Sequence, residues 1–195
     1  MIRTSAAASA MLAAGTLPAF AHLDPVAHGS FAAGFSHPLF GADHILAMVA
    51  VGLWAALLGG RALWLVPAAF VATMTAGFGG ALIGAPLPLV EPVILASVVT
   101  IGLLAAMALR VPTGAAMAMV GFFAFFHGHA HGGELGAAGA LSFAVGFAAA
   151  TALLHAAGVA AGLGLGRWLT GEAGRTATRI AGALTTVGGL WLAIG

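Results

Sequence analysis

Residues 37–48 read HPLFGADHILAM and place two imidazoles and one carboxylate at the head of an apolar run that continues to Gly59. Ionisable groups inside an apolar membrane segment are costly and usually have a function. His37 and His44 are seven residues apart and share one face of a helix, with Met48 one turn further along it. The stretch therefore predicts metal ligands at His37, Asp43 and His44, with Met48 as a weaker candidate.

Pro38 sets the expected start of that helix. Proline is well suited to the first helical position, so His37 is predicted to cap or precede a helix whose opening turns hold Asp43 and His44. Asp43 is expected either to bind the ion beside His44 or to hold an imidazole in the right tautomer. The alternative is a hydrogen-bonded helix entry that binds no metal.

The composition is that of an integral membrane protein. Of the 195 residues, 62% are hydrophobic and 6% are charged, and the mean hydropathy is +1.11; water-soluble domains do not combine these values. Lysine is absent, and the six arginines are nearly balanced by five acidic residues, so the composition does not support nucleic-acid binding. Because cysteine is also absent, a metal must be bound by nitrogen and oxygen, with methionine sulfur as the one soft donor.

The first 21 residues have the features of a cleavable export signal. Arg3 is followed by a short apolar core and by Ala19-Phe20-Ala21, the small-x-small pattern that signal peptidase accepts. Residues 1–21 are therefore predicted to be a signal peptide and 22–195 a single transmembrane domain. The alternative is an uncleaved signal anchor, for which the apolar core is short.

Six apolar segments follow, punctuated by glycine, proline and arginine. About 20 residues suffice to cross the hydrocarbon core as a helix, and no segment alternates polar and apolar residues as a strand would. The fold class predicted is an all-α, polytopic membrane protein with six transmembrane helices. The segments are approximately 31–59, 62–83, 88–109, 113–131, 135–165 and 176–194.

Two independent features predict the orientation. Export of the signal leaves His22 outside, and every arginine beyond the signal then falls in a loop inside the cell, as the positive-inside rule requires. We therefore expect a multi-pass membrane protein with both termini outside. The arginines concerned are Arg61, Arg110, Arg167, Arg175 and Arg179.

A second histidine cluster lies on the same outer side, in the stretch FHGHAHGGE of residues 126–134. On a helix, His127, His131 and Glu134 share one face and His129 points away. Glycines in this stretch lower helical propensity, so a loop that dips back between helices is the other geometry considered. A solvated polar turn is the alternative without a metal.

Glycines also recur every fourth residue at 128, 132 and 136 and at 158, 162 and 166, a spacing that favours close helix packing.

Four further residues are weaker candidates. His155 lies deep in the fifth segment, either as an inner relay for an ion or as a histidine bonded to Thr151. Glu91 precedes Pro92, where an acid also suits a helix N-terminus. His22 offers an amine and an imidazole if it is the mature first residue, although a mobile polar tail is the simpler interpretation. His129 completes the weaker set.

These motifs together resemble the HupE/UreJ family of nickel permeases. The resemblance rests on HPxxGxDHxxxM from residue 37, FHGxAHGxE from residue 126, ATALLH ending at His155, and Glu91 with Ser97, and it covers essentially the whole mature chain. It implies a six-helix inner-membrane protein that imports Ni²⁺, and sometimes Co²⁺, for enzymes such as hydrogenase or urease. By the same resemblance the ion-handling residues are His37, Asp43, His44, His127, His131 and Glu134.

The function predicted is therefore a secondary transporter rather than an enzyme, with the metal ion as cargo and no prosthetic group. Imidazole with carboxylate suits nickel, cobalt, zinc and copper but not magnesium or calcium. The partners expected are the lipid bilayer and a divalent ion, and the sequence leaves a homo-oligomer open. The alternatives are an intramembrane metal-dependent enzyme with Glu134 as base, and an accessory or sensor protein that binds the metal without transporting it.

Overall fold

A computed structural model describes residues 30–135, 139–168 and 172–194 of the chain. The predicted signal peptide and His22 lie outside these residues. The described ranges consist of helices joined by short turns and loops and contain no strand, which confirms the all-α class. In chain order the helices are α1 (Phe31–Phe40), α2 (Ala42–Leu58), α3 (Ala62–Leu82), α4 (Val90–Ala106), α5 (Thr113–Leu135), α6 (Ala140–Trp168) and α7 (Glu172–Ile194).

The first predicted segment is two helices rather than one. Gly41 has an extended backbone (φ −85°, ψ 116°), and α1 meets α2 there at an angle of 81°. Pro38 lies inside the last turn of α1 rather than at the start of a helix, so the predicted helix start was wrong. Because proline has no N–H, it weakens the hydrogen bonding of the turn just before the break. His37 accordingly ends one helix while Asp43 and His44 begin the next.

The helices are strongly apolar, as expected for a membrane protein. Three of them are long and apolar enough to span a bilayer: α3, most of α6 (Ala140–Arg167) and α7. The bent pair of α1 and α2 is long and apolar enough only when the two helices are taken together, as a broken span or a re-entrant loop. The apolar helix α4 has 17 residues, somewhat short for a span. Helix α5 is long enough, but His127, His129 and His131 lower its hydropathy. The six-span topology therefore stays a prediction at α4 and α5.

Glycines allow the helices to approach until their backbones touch. A Cβ atom on Gly128 of α5 would collide with the Met74 carbonyl of α3, and one on Gly132 would collide with that of Phe78. Gly158 of α6 lies equally close to the Val49 carbonyl of α2. The expected packing role is thus confirmed at these positions. It does not extend to Gly166, which has nothing within 4 Å, while Gly136 lies outside the described residues.

The order of these contacts fixes the direction of each helix. Helices α3 and α5 run parallel, as do α2 and α6, whereas α4 and α7 are antiparallel. The turns that carry Arg61, Arg110 and Arg167 therefore lie at one end of the bundle, called here the arginine end. The beginning of α2 and the end of α5 lie at the opposite end, called here the histidine end because it holds His44, His127 and His131.

Candidate metal centre

Three helices each contribute one imidazole to a single cluster at the histidine end. His37 comes from the last turn of α1, His44 from the first turn of α2 and His131 from the end of α5. One ring nitrogen from each lies within 4.8 Å of the other two. His44 and His131 are 5% and 7% exposed, and His37 is half-buried. We call these three residues the triad.

The triad spacing suits a transition-metal ion. The Nε2 atoms of His44 and His131 are 2.8 Å apart, and the His37 and His131 ring centroids are 4.3 Å apart. A cation with metal–nitrogen bonds of about 2.1 Å keeps adjacent ligand atoms roughly 3.0–3.4 Å apart. The cluster thus needs only a small expansion to accept an ion, because His44 and His131 already face one another.

Asp43 lies beside the ring of His44. Its Oδ2 is 2.9 Å from His44 Nδ1, an ion-pair contact, but the two atoms are not aligned for a hydrogen bond. Nε2 of His44 points at Nε2 of His131, 2.8 Å away, and one of these two nitrogens carries the proton that they share. A carboxylate behind a ligating histidine is the usual way in which proteins orient the ring and raise its basicity. Of the two roles predicted for Asp43, this geometry favours the supporting one.

His127 lies one helical turn before His131 and is completely buried. Its Nδ1 donates to the Phe123 carbonyl at 3.0 Å, because a carbonyl oxygen can only accept. The lone pair is therefore on Nε2, which has no hydrogen-bond partner among the described residues. The ring lies 5.6 Å from that of His44. Helix α5 runs through Leu135, so of the two geometries left open by the sequence the helix is confirmed and the re-entrant loop is excluded.

An aromatic wall closes one side of the triad. The Phe147 ring of α6 lies 4.9 Å from His131, 5.9 Å from His37 and 6.0 Å from His44. Phe143, one turn earlier, lies 6.0 Å from His37. Sequence reasoning missed both residues, although their spacing of four on an apolar helix was visible. Such a wall excludes water and strengthens electrostatic interactions within the cluster.

His155 lies farther into the bundle and is not part of the triad. It is about halfway along α6 and its ring packs 4.9 Å from that of Phe70. The bond to Thr151, one of the two alternatives for His155, is not formed, because that hydroxyl is directed at Met74 Sδ, 3.7 Å away. Neither ring nitrogen of His155 has a hydrogen-bond partner among the described residues.

The remaining candidates fall outside the cluster. His129 points away as predicted, with Nε2 donating to the Ala85 carbonyl at 2.7 Å. Glu91 is exposed in the first turn of α4. Met48 is buried in the core one turn after His44. Glu134 is on α5, but the position of its side chain is not described, so its ligand role stays a prediction.

Comparison with known proteins gives a consistent result. Residues 9–192 match the family described as HupE / UreJ protein. The chain is also 44% identical, over 186 residues, to Protein HupE of Rhizobium leguminosarum bv. viciae; the match covers 94% of this chain and 95% of that protein. No solved structure matches significantly. The family match over nearly the whole length shows that this chain belongs to the HupE/UreJ family.

Proposed function

We propose that the protein is a permease that imports Ni²⁺, with Co²⁺ as a second cargo, across the bacterial inner membrane to supply nickel enzymes such as hydrogenase or urease. The observation that carries the proposal is the convergence of three imidazoles from α1, α2 and α5 within 4.8 Å. Imidazole nitrogen is the donor that such ions share, and it excludes magnesium and calcium, which require oxygen ligands.

The triad is suited to hold an ion and also to release it. A structural metal site is closed and fully ligated, usually by four ligands. Here His37 is half-buried and the Asp43 side chain is 28% exposed, so the cluster stays accessible from the histidine end. Open access supports exchange of the ion rather than permanent retention.

The arginine end supports the direction of transport. Arg61, Arg110, Arg167, Arg175 and Arg179 lie at the end opposite the triad, and positively charged loops remain in the cytoplasm. The triad would then face outward. A negative-inside potential favours entry of a cation by about 2.3 kcal/mol per charge per 100 mV, which provides a driving force without a second substrate.

Uptake of radioactive nickel into vesicles that contain the purified protein tests the proposal. Under a negative-inside potential the protein should accumulate nickel, and His44→Ala should lower the initial rate by at least about 100-fold, more than loss of a supporting partner costs. Ile45→Ala, at the next position of α2, is the matched control and should retain uptake. Equal uptake by His44→Ala and the control would refute the site.

The same vesicles distinguish the alternative functions. A sensor or accessory protein would bind nickel at the triad without accumulation inside the vesicle. An intramembrane enzyme would keep its metal through prolonged dialysis against a chelator, whereas a permease should release it. Competition by cobalt, zinc and copper in the same assay measures the selectivity.

A further inference from the structure

Two buried histidines have nitrogen atoms that neither the triad nor the fold uses. His127 and His155 are 0% and 1% exposed. Among the described residues, Nε2 of His127 and both ring nitrogens of His155 have no hydrogen-bond partner. A buried polar atom without a partner is destabilising and calls for a bound group to satisfy it.

The two histidines are connected by one aromatic ring. Phe70 of α3 is completely buried and lies 5.7 Å from the His127 ring and 4.9 Å from the His155 ring. His127 in turn lies 5.6 Å from His44 of the triad. A series of rings therefore leads from the triad into the middle of the bundle, with Phe70 as its single apolar member.

We propose that His127 and His155 form an inner station for the transported divalent cation, which the ion occupies after it leaves the triad. The inference rests on the proposed function. His127 presents a lone pair on Nε2 because its Nδ1 proton is donated to Phe123. His155 presents a nitrogen on either side of its ring. Phe70 contacts both rings, so its side chain must move before one ion can bind to both histidines.

The inner station binds more weakly than the triad. Among the described residues, no carboxylate lies against either imidazole as Asp43 lies 2.9 Å from His44 Nδ1, and a carboxylate beside a ligating imidazole raises metal affinity 10- to 100-fold. Thr151, one turn before His155 and fully buried, offers a hydroxyl oxygen on the same helix face. Weak binding at an intermediate point is what conduction requires, since an ion must leave each site as readily as it enters.

The test compares His155→Phe with Leu154→Phe in the full-length protein. Both variants place the same ring on the same turn of α6, but only the first removes nitrogen ligands. Equilibrium nickel binding to purified protein reports on the triad, and nickel flux into vesicles reports on the whole route. We expect His155→Phe to bind nickel within about threefold of wild type and to lose flux by about tenfold or more. Leu154→Phe should retain both the nickel binding and the nickel flux of wild type.

His155→Cys supplies the rescue, because a thiolate also binds nickel, and it should restore most of the flux. If His155→Phe fails to fold, His155→Ala replaces it in the same two measurements. Unchanged nickel flux in His155→Phe, or in His155→Ala if that variant is used, would overturn the inner station. Equal loss of flux in His155→Phe and His155→Cys would also overturn it, because a side chain that binds nickel should have restored the flux. Loss of triad binding would also overturn it, because the role would then be structural. If wild type itself moves no nickel, the proposed function fails, and this outcome is recognised without any variant.

Discussion

At the histidine end three histidines point into the bundle, whereas at the arginine end the arginines point out of it. His44, His127 and His131 are buried, while Arg61, Arg110 and Arg175 are exposed. The ion pair between Arg175 and Glu172 is long, at 3.9 Å, and both partners are exposed. The two ends thus use polar residues for different purposes.

The two ends differ because water can solvate the exposed arginines but not the buried histidines. Water and lipid headgroups solvate a charge at the surface, so the exposed arginines need no partner within the protein, and in the predicted topology they orient the chain. A buried imidazole has no such solvent and depends on other protein groups or on a bound ion. Burial therefore separates the candidate metal ligands from the arginines that are predicted to set the topology, although both sets are ionisable.

The largest effect is expected from two histidines on one turn of α5. His131 belongs to the triad, whereas His129 points away and donates to the Ala85 carbonyl. His131→Ala should lower nickel affinity by at least about 100-fold because it removes a direct ligand. His129→Ala should leave affinity within about threefold, since it loses one hydrogen bond of about 1 kcal/mol that does not touch the triad. Isothermal titration with nickel measures both.

A larger loss of nickel affinity in His129→Ala than in His131→Ala would refute the triad and show that the exposed side of α5 binds the ion. Equal loss in both variants would instead indicate that α5 tolerates no substitution at its end. The pair therefore tests the inward direction of the polar side chains, which distinguishes this end of the bundle from the other.

A smaller effect is expected from two glycines that also lie on α5. Gly128 touches the α3 backbone at Met74, whereas Gly133 has nothing within 4 Å. Gly128→Ala should destabilise the protein by about 1–3 kcal/mol, as overpacking usually does. Gly133→Ala should be neutral or stabilising, since alanine is up to about 1 kcal/mol better than glycine in a helix. Thermal unfolding in detergent compares them; equal melting temperatures would show that the α3–α5 contact does not determine stability.

Much of the fold could be predicted from the sequence because hydropathy alone marks helical segments. The predicted segments 62–83 and 113–131 correspond to Ala62–Leu82 and Thr113–Leu135. The break at Gly41 could not be predicted in this way. It depends on the packing of α1 against the start of α6, where Gly34 touches the Phe143 backbone, and no periodicity within residues 31–59 encodes that contact.

The three histidines of the triad were among the ligands predicted from the sequence, but the geometry of the cluster could not be predicted. The spacing of four residues predicted that His127 and His131 share one face of a helix and that His129 lies on another. The contact between His44 and His131 joins residues 87 apart, and such a distance is set by the tertiary packing of three helices. Phe147 and Phe70 were missed for the same reason: in an apolar helix, a phenylalanine beside a site looks like any other.

The smallest effect is expected at the arginine end. Arg179 donates from Nε to the Ala106 carbonyl at 2.8 Å and so joins the start of α7 to the end of α4. Arg179→Ala should lower the free energy of unfolding by about 1 kcal/mol, the usual contribution of one hydrogen bond. Arg175→Ala, four residues earlier, should change it by less than about 0.5 kcal/mol because its ion pair is exposed.

Neither substitution should alter the rate of nickel uptake once the amount of inserted protein is matched, since both residues lie at the end opposite the triad. Uptake normalised to protein in vesicles of known orientation is the measurement. Loss of uptake in a folded, correctly oriented Arg179→Ala variant would mean that the arginine end also controls passage of the ion. Exposure would then no longer separate the residues that orient the chain from those that handle its cargo.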